Sequence, residues 1–182
     1  LWSRLRYFNS RLYMRGNKAP QVFKNAVNKT ARQARKRIAQ SAKGAYTVKQ
    51  VGFNSHMKIK NASTGNLTAS VDADGKPLTL VRFKNRAGRP KKGGAAAAAD
   101  IVNGGLKQLV SSQGGKAFKR NGLVMQREGK DRLPVKVFHS NSVPKMVEKV
   151  YQGERGMAGA LKEPIQSDLR KNLEAEIKKI VG

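Results

Sequence analysis

The chain has 182 residues, no cysteine and a formal net charge of +27, which comes from 38 Lys and Arg residues against 11 Asp and Glu residues. The lack of cysteine excludes a disulfide framework, a thiolate metal site and a cysteine nucleophile. A compact chain with this charge repels itself, so we expect an anionic partner, an assembly of complementary charge, or both.

The positive charge is concentrated in the first two-thirds of the chain. Residues 1–71 contain 15 Lys and Arg and no acid, residues 72–140 contain 15 against 5 acids, and residues 141–182 contain 8 against 6. A phosphate-rich partner is therefore expected to meet the N-terminal part. No apolar run reaches the length needed to span a membrane.

Residues 1–19 are predicted to be a basic, aromatic arm. Apolar side chains and arginines alternate in it, a pattern typical of a short amphipathic helix: Trp2, Leu5, Phe8, Leu12 and Tyr13 beside Arg4, Arg6, Arg11 and Arg15. We expect the arm to dock on the rest of the chain or on a neighbouring subunit. Stacking on exposed bases and a membrane-surface role are the alternatives.

Residues 20–44 predict a long helix around which the chain is organised. Its apolar stripe recurs at three- and four-residue steps: Phe23, Val27, Thr30, Ala31, Ala34 and Ile38. The polar and charged residues fall mostly off that stripe: Lys24, Asn28, Arg32, Arg35, Lys36 and Lys43. Pro20 suits the first turn and Gly44 suits the end. The charged side is predicted to meet a partner, the alternative being a solvated basic face.

The periodicity changes to two after the helix, which predicts three antiparallel strands joined by hairpins at residues 57–61, 67–71 and 78–83. Turn residues at 63–66 and 72–76 separate them, and the helix should cover one face of the sheet. Thr47 is expected to cap a short helical turn. Asp72 and Asp74 resemble the front half of a calcium loop, but Val81 occupies the position that requires a bidentate Glu, so a hairpin turn is the better account.

Residues 84–99 combine Lys and Arg with glycines and a run of alanines, which predicts an exposed, flexible loop. Within it, residues 88–92 resemble the core of an AT-hook, whose Arg-Pro segment lies in the narrow minor groove of DNA. Ala87 stands where the usual preceding arginine would be. Minor-groove binding, nonspecific contact with nucleic acid and a solvated or assembly-contacting loop all remain open. The cations concerned are Arg86, Arg89, Lys91 and Lys92.

The C-terminal half predicts short strands at residues 101–102 and 106–110, a loop at 111–116 and a strand pair at 123–127 and 133–138. A helix follows with Ser142 as its cap. Its apolar side is Val143, Met146, Val147 and Val150. A break at residues 153–159 precedes a last helix over residues 163–180. The apolar stripe of that helix is Ile165, Leu169, Leu173, Ile177 and Ile180.

No set of residues typical of an enzyme stands out. His56 and His139 are far apart in sequence and lack ligand partners at metal-site spacing, and the glycine pairs match no phosphate-binding loop. A metal-dependent nuclease needs clustered carboxylates, whereas the 11 acids are scattered over the last 111 residues. We therefore predict a protein without enzymatic activity, cofactor or metal.

The order of the segments resembles the minor tail protein Z family of phage and prophage tail-completion proteins. The resemblance covers roughly residues 20–150 and rests on the order and spacing of short pieces. These pieces are AVNKTA at 26–31, NLTA at 66–69, PLTL at 77–80 with Phe83, AF at 117–118, LPV at 133–135 and SVPKM at 142–146. The arginine- and tryptophan-containing arm and the basic, alanine-rich loop depart from the family pattern.

The resemblance implies a structural virion protein that completes the head-proximal end of a tail and joins it to the head. It implies a homo-oligomeric ring, hexameric to match a sixfold tail, around the DNA channel. Its partners would be a tail terminator or tail tube protein and head-completion or connector proteins, in the virion after assembly in the bacterial cytoplasm, with no membrane partner. Contact with genomic DNA is open, because the basic face suits DNA and acidic protein equally.

The sequence thus predicts an α+β fold, with an N-terminal helix packed on a mainly antiparallel β-sheet and with C-terminal helices. Residues 20–182 are predicted to form one domain after the arm. The residues expected to contact DNA or an acidic partner are Arg32, Arg35, Lys36, Lys43, Arg86, Arg89, Lys91 and Lys92. The main alternative function is that of a stand-alone nucleic-acid-binding protein of chromatin or ribosomal type, which would bind DNA or RNA tightly as a monomer.

Overall fold

The structure, a computed structural model, describes residues 18–49, 52–88, 95–110, 115–129, 131–154 and 161–181. Within these ranges it has three α-helices: α1 (Lys18–Ala45), α2 (Val143–Gln152) and α3 (Lys162–Val181). Short antiparallel strands lie between α1 and α2. The predicted α+β fold is therefore confirmed, with an N-terminal helix, antiparallel sheets and C-terminal helices. Residues 1–17 of the predicted arm and three loop cations, Arg89, Lys91 and Lys92, lie outside the described residues, whereas residues 18–19 of that arm belong to α1.

The described strands form four small antiparallel sheets, in the orders β1-β2, β10-β3, β4-β5-β6 and β7-β8-β9. Their bounds are β1 Met57–Lys60, β2 Ser70–Ala73, β3 Pro77–Thr79, β4 Lys84–Arg86, β5 Ala98–Asp100, β6 Lys107–Gln108, β7 Phe118–Arg120, β8 Leu123–Arg127, β9 Val135–Val137 and β10 His139–Ser142. Single 3₁₀ turns occupy Phe53–His56 and Leu80–Arg82.

Helix α1 forms where the sequence predicts it, but its buried side is broader than the predicted stripe. The buried residues are Val22, Ala26, Asn28, Thr30, Ala31, Ala34, Ile38, Ala39 and Ala42. The broad face follows from neighbours on several sides, since α3, α2 and β1 all contact α1. Two predictions are wrong: Phe23 is 37% exposed, and Gly44 lies inside the helix, which continues to Ala45.

Asn28 is buried, although the sequence places it on the outward side of α1. Its side-chain amide donates to the carbonyl oxygen of Ala62 at 3.0 Å, and the N–H of Ala62 donates to Asn28 Oδ1 at 2.7 Å. These two bonds satisfy both backbone groups of Ala62, in the connection between β1 and β2. Asn28 thus fastens that connection to α1, a pairing between distant residues that helical periodicity cannot reveal.

The first predicted hairpin is confirmed, because β1 and β2 pair antiparallel with Met57 opposite Ala73. The third strand of that predicted sheet is wrong. β3 pairs with β10 instead, and Leu80–Arg82 turns into a 3₁₀ helix that buries Leu80. Thr47 does not cap a helical turn either. Its hydroxyl donates to the carbonyl of Asp100 and accepts the N–H of Lys84, so it links β5 to β4.

The predicted flexible loop at residues 84–99 is wrong for most of its described part, although Ala87 and Ala95 are exposed and lie outside the strands. β4 pairs with β5, and β5 with β6. Ala96, Ala97, Ala98 and Ala99 are all at most 4% exposed. Gly88, the first residue of the AT-hook-like motif, is also buried. Consecutive alanines allow a strand to be covered on both faces, so a sequence of low complexity here forms part of the core.

The C-terminal half follows the prediction in part: β6 lies within the predicted strand at 106–110, whereas Val102 forms only an isolated bridge to Tyr46 in place of the strand predicted at 101–102. β8 and β9 pair as expected, and β7 adds a strand that the sequence did not indicate. Ser142 caps α2 by accepting the N–H of Lys145 at 3.5 Å, and Gly153 ends that helix with φ 72°. The left-handed conformation at this position favours glycine.

The main core gathers residues from most parts of the described chain. Its largest fully buried side chains are Phe83, Met57, Met146, Val124, Val143 and Val150. Helix α3 packs along α1, and a buried polar contact lies between them. The Asn172 amide donates to Thr30 Oγ1 at 2.9 Å and to Gln33 Oε1 at 2.7 Å. The five apolar positions predicted for α3 are all half-buried.

Candidate functional site

The outward side of α1 carries a row of cations, which we call the basic face. Its members are Lys18, Lys29, Arg32, Lys36 and Lys43, and all five are exposed. At about 100° per residue they lie within about 60° of one another around the helix, and the row is about 37 Å long at 1.5 Å per residue. The helix contains no acidic residue, so nothing on α1 itself neutralises this row.

One edge of the basic face meets acids of α3. Arg37, at the side of the row, forms an ion pair with Asp168 at 2.7 Å. Lys179, on α3 itself, donates to Glu176 and is the main cause of the lowered pKa of that carboxyl. A hydrogen bond from Asn25 and the charge of Lys29 lower that pKa further. The α3 side of α1 is therefore partly neutralised, and Lys29 lies at the boundary.

The remaining cations of the row have no such partner. Among the described residues, no carboxylate lies within ion-pairing distance of Arg32, Lys36 or Lys43. An ordinary surface cation in a protein of balanced charge has acids nearby in sequence, whereas here the first acid of the chain is Asp72, 27 residues after the end of α1. These three side chains are thus available to an external anion.

Arg35, which was also predicted to contact the partner, lies to one side of this row. Its guanidinium is half-buried and donates to the carbonyl oxygen of Met57 at 3.4 Å, so the side chain turns toward β1. The reason is angular: Arg35 lies about 100° away from Lys36 around the helix. Arg35 therefore contributes to the contact between α1 and the first hairpin.

Arg86 is the one described member of the predicted loop cations, and it lies on β4 with an exposed side chain. Its strand begins at Lys84, whose N–H donates to Thr47 Oγ1 at 3.3 Å, just beyond the end of α1. Lys119 lies near the same strand and donates to the side chain of Asn85 at 3.3 Å. A second, smaller cluster of cations thus lies on a sheet that is anchored near the C-terminal end of α1.

The sequence prediction missed two members of the basic face, Lys18 and Lys29. Lys29 stands seven residues before Lys36 and fourteen before Lys43, so these three lie close to one line along the helix. A helical wheel drawn over the whole segment would have grouped them. Only the tertiary structure shows that Asn28 and Arg35 face inward, so neither of them belongs to the basic face.

The acids of the first hairpin are used in ion pairs across β1 and β2. Lys60 pairs with Asp72 at 2.9 Å and Lys58 with Asp74 at 3.1 Å. The hydrogen bonds from Lys60 and then Ser70 lower the pKa of Asp72. The resemblance of this turn to a calcium loop thus has a structural explanation, since both carboxylates face lysines of the adjacent strand.

The part of the chain that the structure describes contains no group of three or more His, Asp or Glu side chains placed to hold a metal ion. One carboxylate, that of Asp100, is buried within β5, and its Oδ1 has no hydrogen-bond partner among the described residues. In the same ranges, no helix has the length and apolar character to cross a membrane.

Comparison of the sequence with protein-family models gave no match, and comparisons with curated proteins and with solved structures gave none either. The site is accordingly interpreted from its own geometry, an exposed row of cations on a helix.

Proposed function

We propose that this chain is a structural protein of a phage particle that completes the head-proximal end of the tail and joins it to the head. It would act as a hexameric ring around the DNA channel, with the basic face of α1 directed at a polyanionic neighbour. The phage assignment comes from the resemblance in segment order. The polyanionic neighbour is supported by one structural observation, the unpaired row of Arg32, Lys36 and Lys43.

The geometry of the row favours a partner with repeated negative charge. A helix can lay its cations along a phosphate backbone or along an acidic protein surface, and each contact with phosphate releases counterions. Exposed aromatic side chains that could stack on bases are missing from the described basic face, so its contacts would be to charge alone. Such contacts carry little sequence specificity, which suits a wall that meets DNA of any sequence.

A second candidate is a stand-alone nucleic-acid-binding protein, and the same row of cations supports it. The two candidates differ in what the isolated chain does. A stand-alone binder holds DNA tightly as a monomer and shows a steep dependence on salt. A tail-completion protein binds DNA weakly as a monomer and forms rings when its tail-end partners are present.

The basic face is tested with the triple variant Arg32→Gln, Lys36→Gln and Lys43→Gln, assayed on duplex DNA over a range of salt concentrations. If the three cations contact phosphates, the slope of log K against log salt should become shallower by about 2.7, that is, about 0.9 for each lost contact. The matched control replaces Lys107, Arg120 and Lys136, which are exposed on other elements, by Gln. It removes the same charge and should leave the slope close to that of the unaltered chain.

Equal effects of the two triple variants would show that the chain attracts DNA through its net charge, and would remove the basic face from the proposal. The assembly role is tested separately by locating the chain in purified particles by electron microscopy. A ring at the junction of tail and head is expected. A chain missing from that junction would contradict the phage role, whatever its affinity for DNA.

A further inference from the structure

An open apolar groove lies on the side of α1 away from the basic face, between α1, α2, α3 and β2. Its volume is about 770 Å³. Its lining includes Ala34 and Ile38 of α1, Val71 of β2, Tyr151 of α2 and Leu169 of α3. A cavity of this size falls within the range of about 300–1,000 Å³ typical of ligand sites.

The polar groups along the groove are already engaged within the protein. Thr30 donates to the carbonyl of Ala26 at 2.8 Å and accepts from Asn172. At the rim, Lys145 pairs with Glu148 at 2.9 Å, and Ser142 caps α2. A small polar ligand would find few open partners here, so the groove suits an occupant that is held by burial of apolar side chains.

We propose that the groove is the docking site for the N-terminal arm of the same molecule, residues 1–17. That segment carries Leu1, Leu5, Phe8 and Leu12 at helical spacing, with Trp2 next to them. These residues supply apolar side chains that would cover the apolar lining of the groove. The proposal concerns the side of α1 opposite the basic face, and it does not depend on the proposed function.

The length and attachment of the arm fit this site. It joins the fold at Lys18, the first residue of α1, and the groove lies beside residues 27–38 of that helix. Those residues are about 14–30 Å from Lys18 along α1. Seventeen residues span about 25 Å as a helix, or up to about 56 Å when extended. The arm therefore reaches its own groove in either conformation, and the covalent link gives it a high effective concentration there.

Charge also favours this location over the rest of the surface. The arm brings four arginines, which the acid-free surface of α1 repels. Residues 141–182, which supply the α2 and α3 walls of the groove, hold six of the eleven acids in the chain. Docking between α2 and α3 thus places the arm in the least basic part of the molecule.

Trp2 is the only tryptophan, so its fluorescence reports on the arm alone. In the unaltered chain we expect blue-shifted emission and weak quenching by acrylamide. Tyr151→Lys, which puts a charge into the groove at a side chain that is already 38% exposed, should shift the emission to longer wavelength and raise the quenching constant several-fold. Leu106→Lys, at a 42% exposed residue outside the groove, is the matched control and should change neither quantity.

Cross-linking shows whether the arm occupies the groove of its own chain or that of a second copy. The chain has no cysteine of its own, so introduced cysteines are the only ones that can react. Phe8→Cys combined with Leu169→Cys should cross-link within one chain, at a yield independent of protein concentration. Phe8→Cys with Leu106→Cys is the control and should give little product. Cross-linked dimers would place the arm in a second copy and overturn the intramolecular proposal. A yield no higher than the control, together with solvent-exposed Trp2, would overturn docking in the groove altogether.

Discussion

Helix α1 and the β4–β6 sheet are similar in amino-acid composition, yet their alanines pack in different ways. Both are rich in alanine and in Lys or Arg, and both are poor in acids. In α1 the alanines recur every three or four residues, so the helix has a buried side and a charged side. In the sheet the alanines are consecutive, and Ala96–Ala99 are buried without any alternation.

The two regions differ in how closely neighbouring segments approach the backbone. In the sheet, the N–H of Ala97 donates to the carbonyl of Ala117 at 2.7 Å, and Gly88 packs directly over that contact. In α1 the small side chains let neighbouring elements approach, while Asn28 and Thr30 make specific polar contacts. Alanine thus permits close packing in both regions, but the sheet depends on contacts between backbones and the helix on contacts from side chains.

The sharpest test of this contrast is the same substitution in both regions. A Cβ at Gly88 would lie closer than 3.0 Å to the backbone N of Ala97 and the backbone O of Ala117, neither of which can move without breaking their hydrogen bond. We expect Gly88→Ala to lower the free energy of unfolding by about 3 kcal/mol or more. Chemical denaturation followed by circular dichroism measures this.

The matched control is Gly44→Ala near the end of α1, where the added Cβ meets nothing within 4 Å. That substitution should raise the free energy of unfolding by about 0.5–1 kcal/mol, because alanine loses less backbone entropy in a helix. If both variants changed stability by similar amounts and in the same direction, the proposed difference in backbone packing would be wrong.

A smaller effect is expected from the polar contact that anchors the first hairpin to α1. Asn28→Ala leaves the buried N–H and C=O of Ala62 without partners, which should cost about 1–3 kcal/mol of unfolding free energy. Asn25→Ala is the control one turn earlier, at an exposed side chain that accepts from Gln21 at 3.1 Å and donates to Glu176 at 3.4 Å. A change within about 0.5 kcal/mol is expected there. Equal losses would mean that the Asn28 contact adds nothing beyond surface polarity.

The smallest effect is electrostatic and concerns the α3 edge of α1. The folded-state pKa of Glu176 lies below its ordinary value, first because of Lys179 and then because of Asn25 and Lys29. Its contribution to stability is therefore complete above the unfolded pKa of about 4.3 and is lost as the pH falls through the lower folded value. For a pair near the surface we expect less than about 1 kcal/mol.

The measurement compares Glu176→Gln with the unaltered chain at pH 7 and pH 3. The variant should be less stable at pH 7, and the difference should be smaller at pH 3, because the Glu176 carboxylate loses its charge as the pH falls through its lowered folded pKa. Glu174→Gln, at an exposed residue of α3 without an ion pair among the described residues, is the control. A difference of the same size at pH 3 and pH 7 would assign the effect to packing.

The sequence by itself determined the elements with strong periodicity or clear end signals. These elements depend on interactions between residues that are close in sequence. They are the apolar repeats of α1 and α3, the Ser142 cap of α2 and the strand pair β8–β9. The concentration of cations in the N-terminal part is likewise a property of the sequence. These features supplied the fold class and the greater part of the basic face, including Arg32, Lys36 and Lys43.

Only the tertiary structure decided the features that join distant parts of the chain. Asn28 meets Ala62, Arg35 meets Met57, β3 pairs with β10, and Gly88 packs against Ala97 and Ala117. A run of alanines carries no periodicity, so local pattern cannot distinguish an exposed loop from a strand buried on both faces. Burial depends on which distant segments pack against a stretch of chain. For this reason the alanines of the predicted loop lie in the core, and two polar residues of α1, Asn28 and Arg35, face inward.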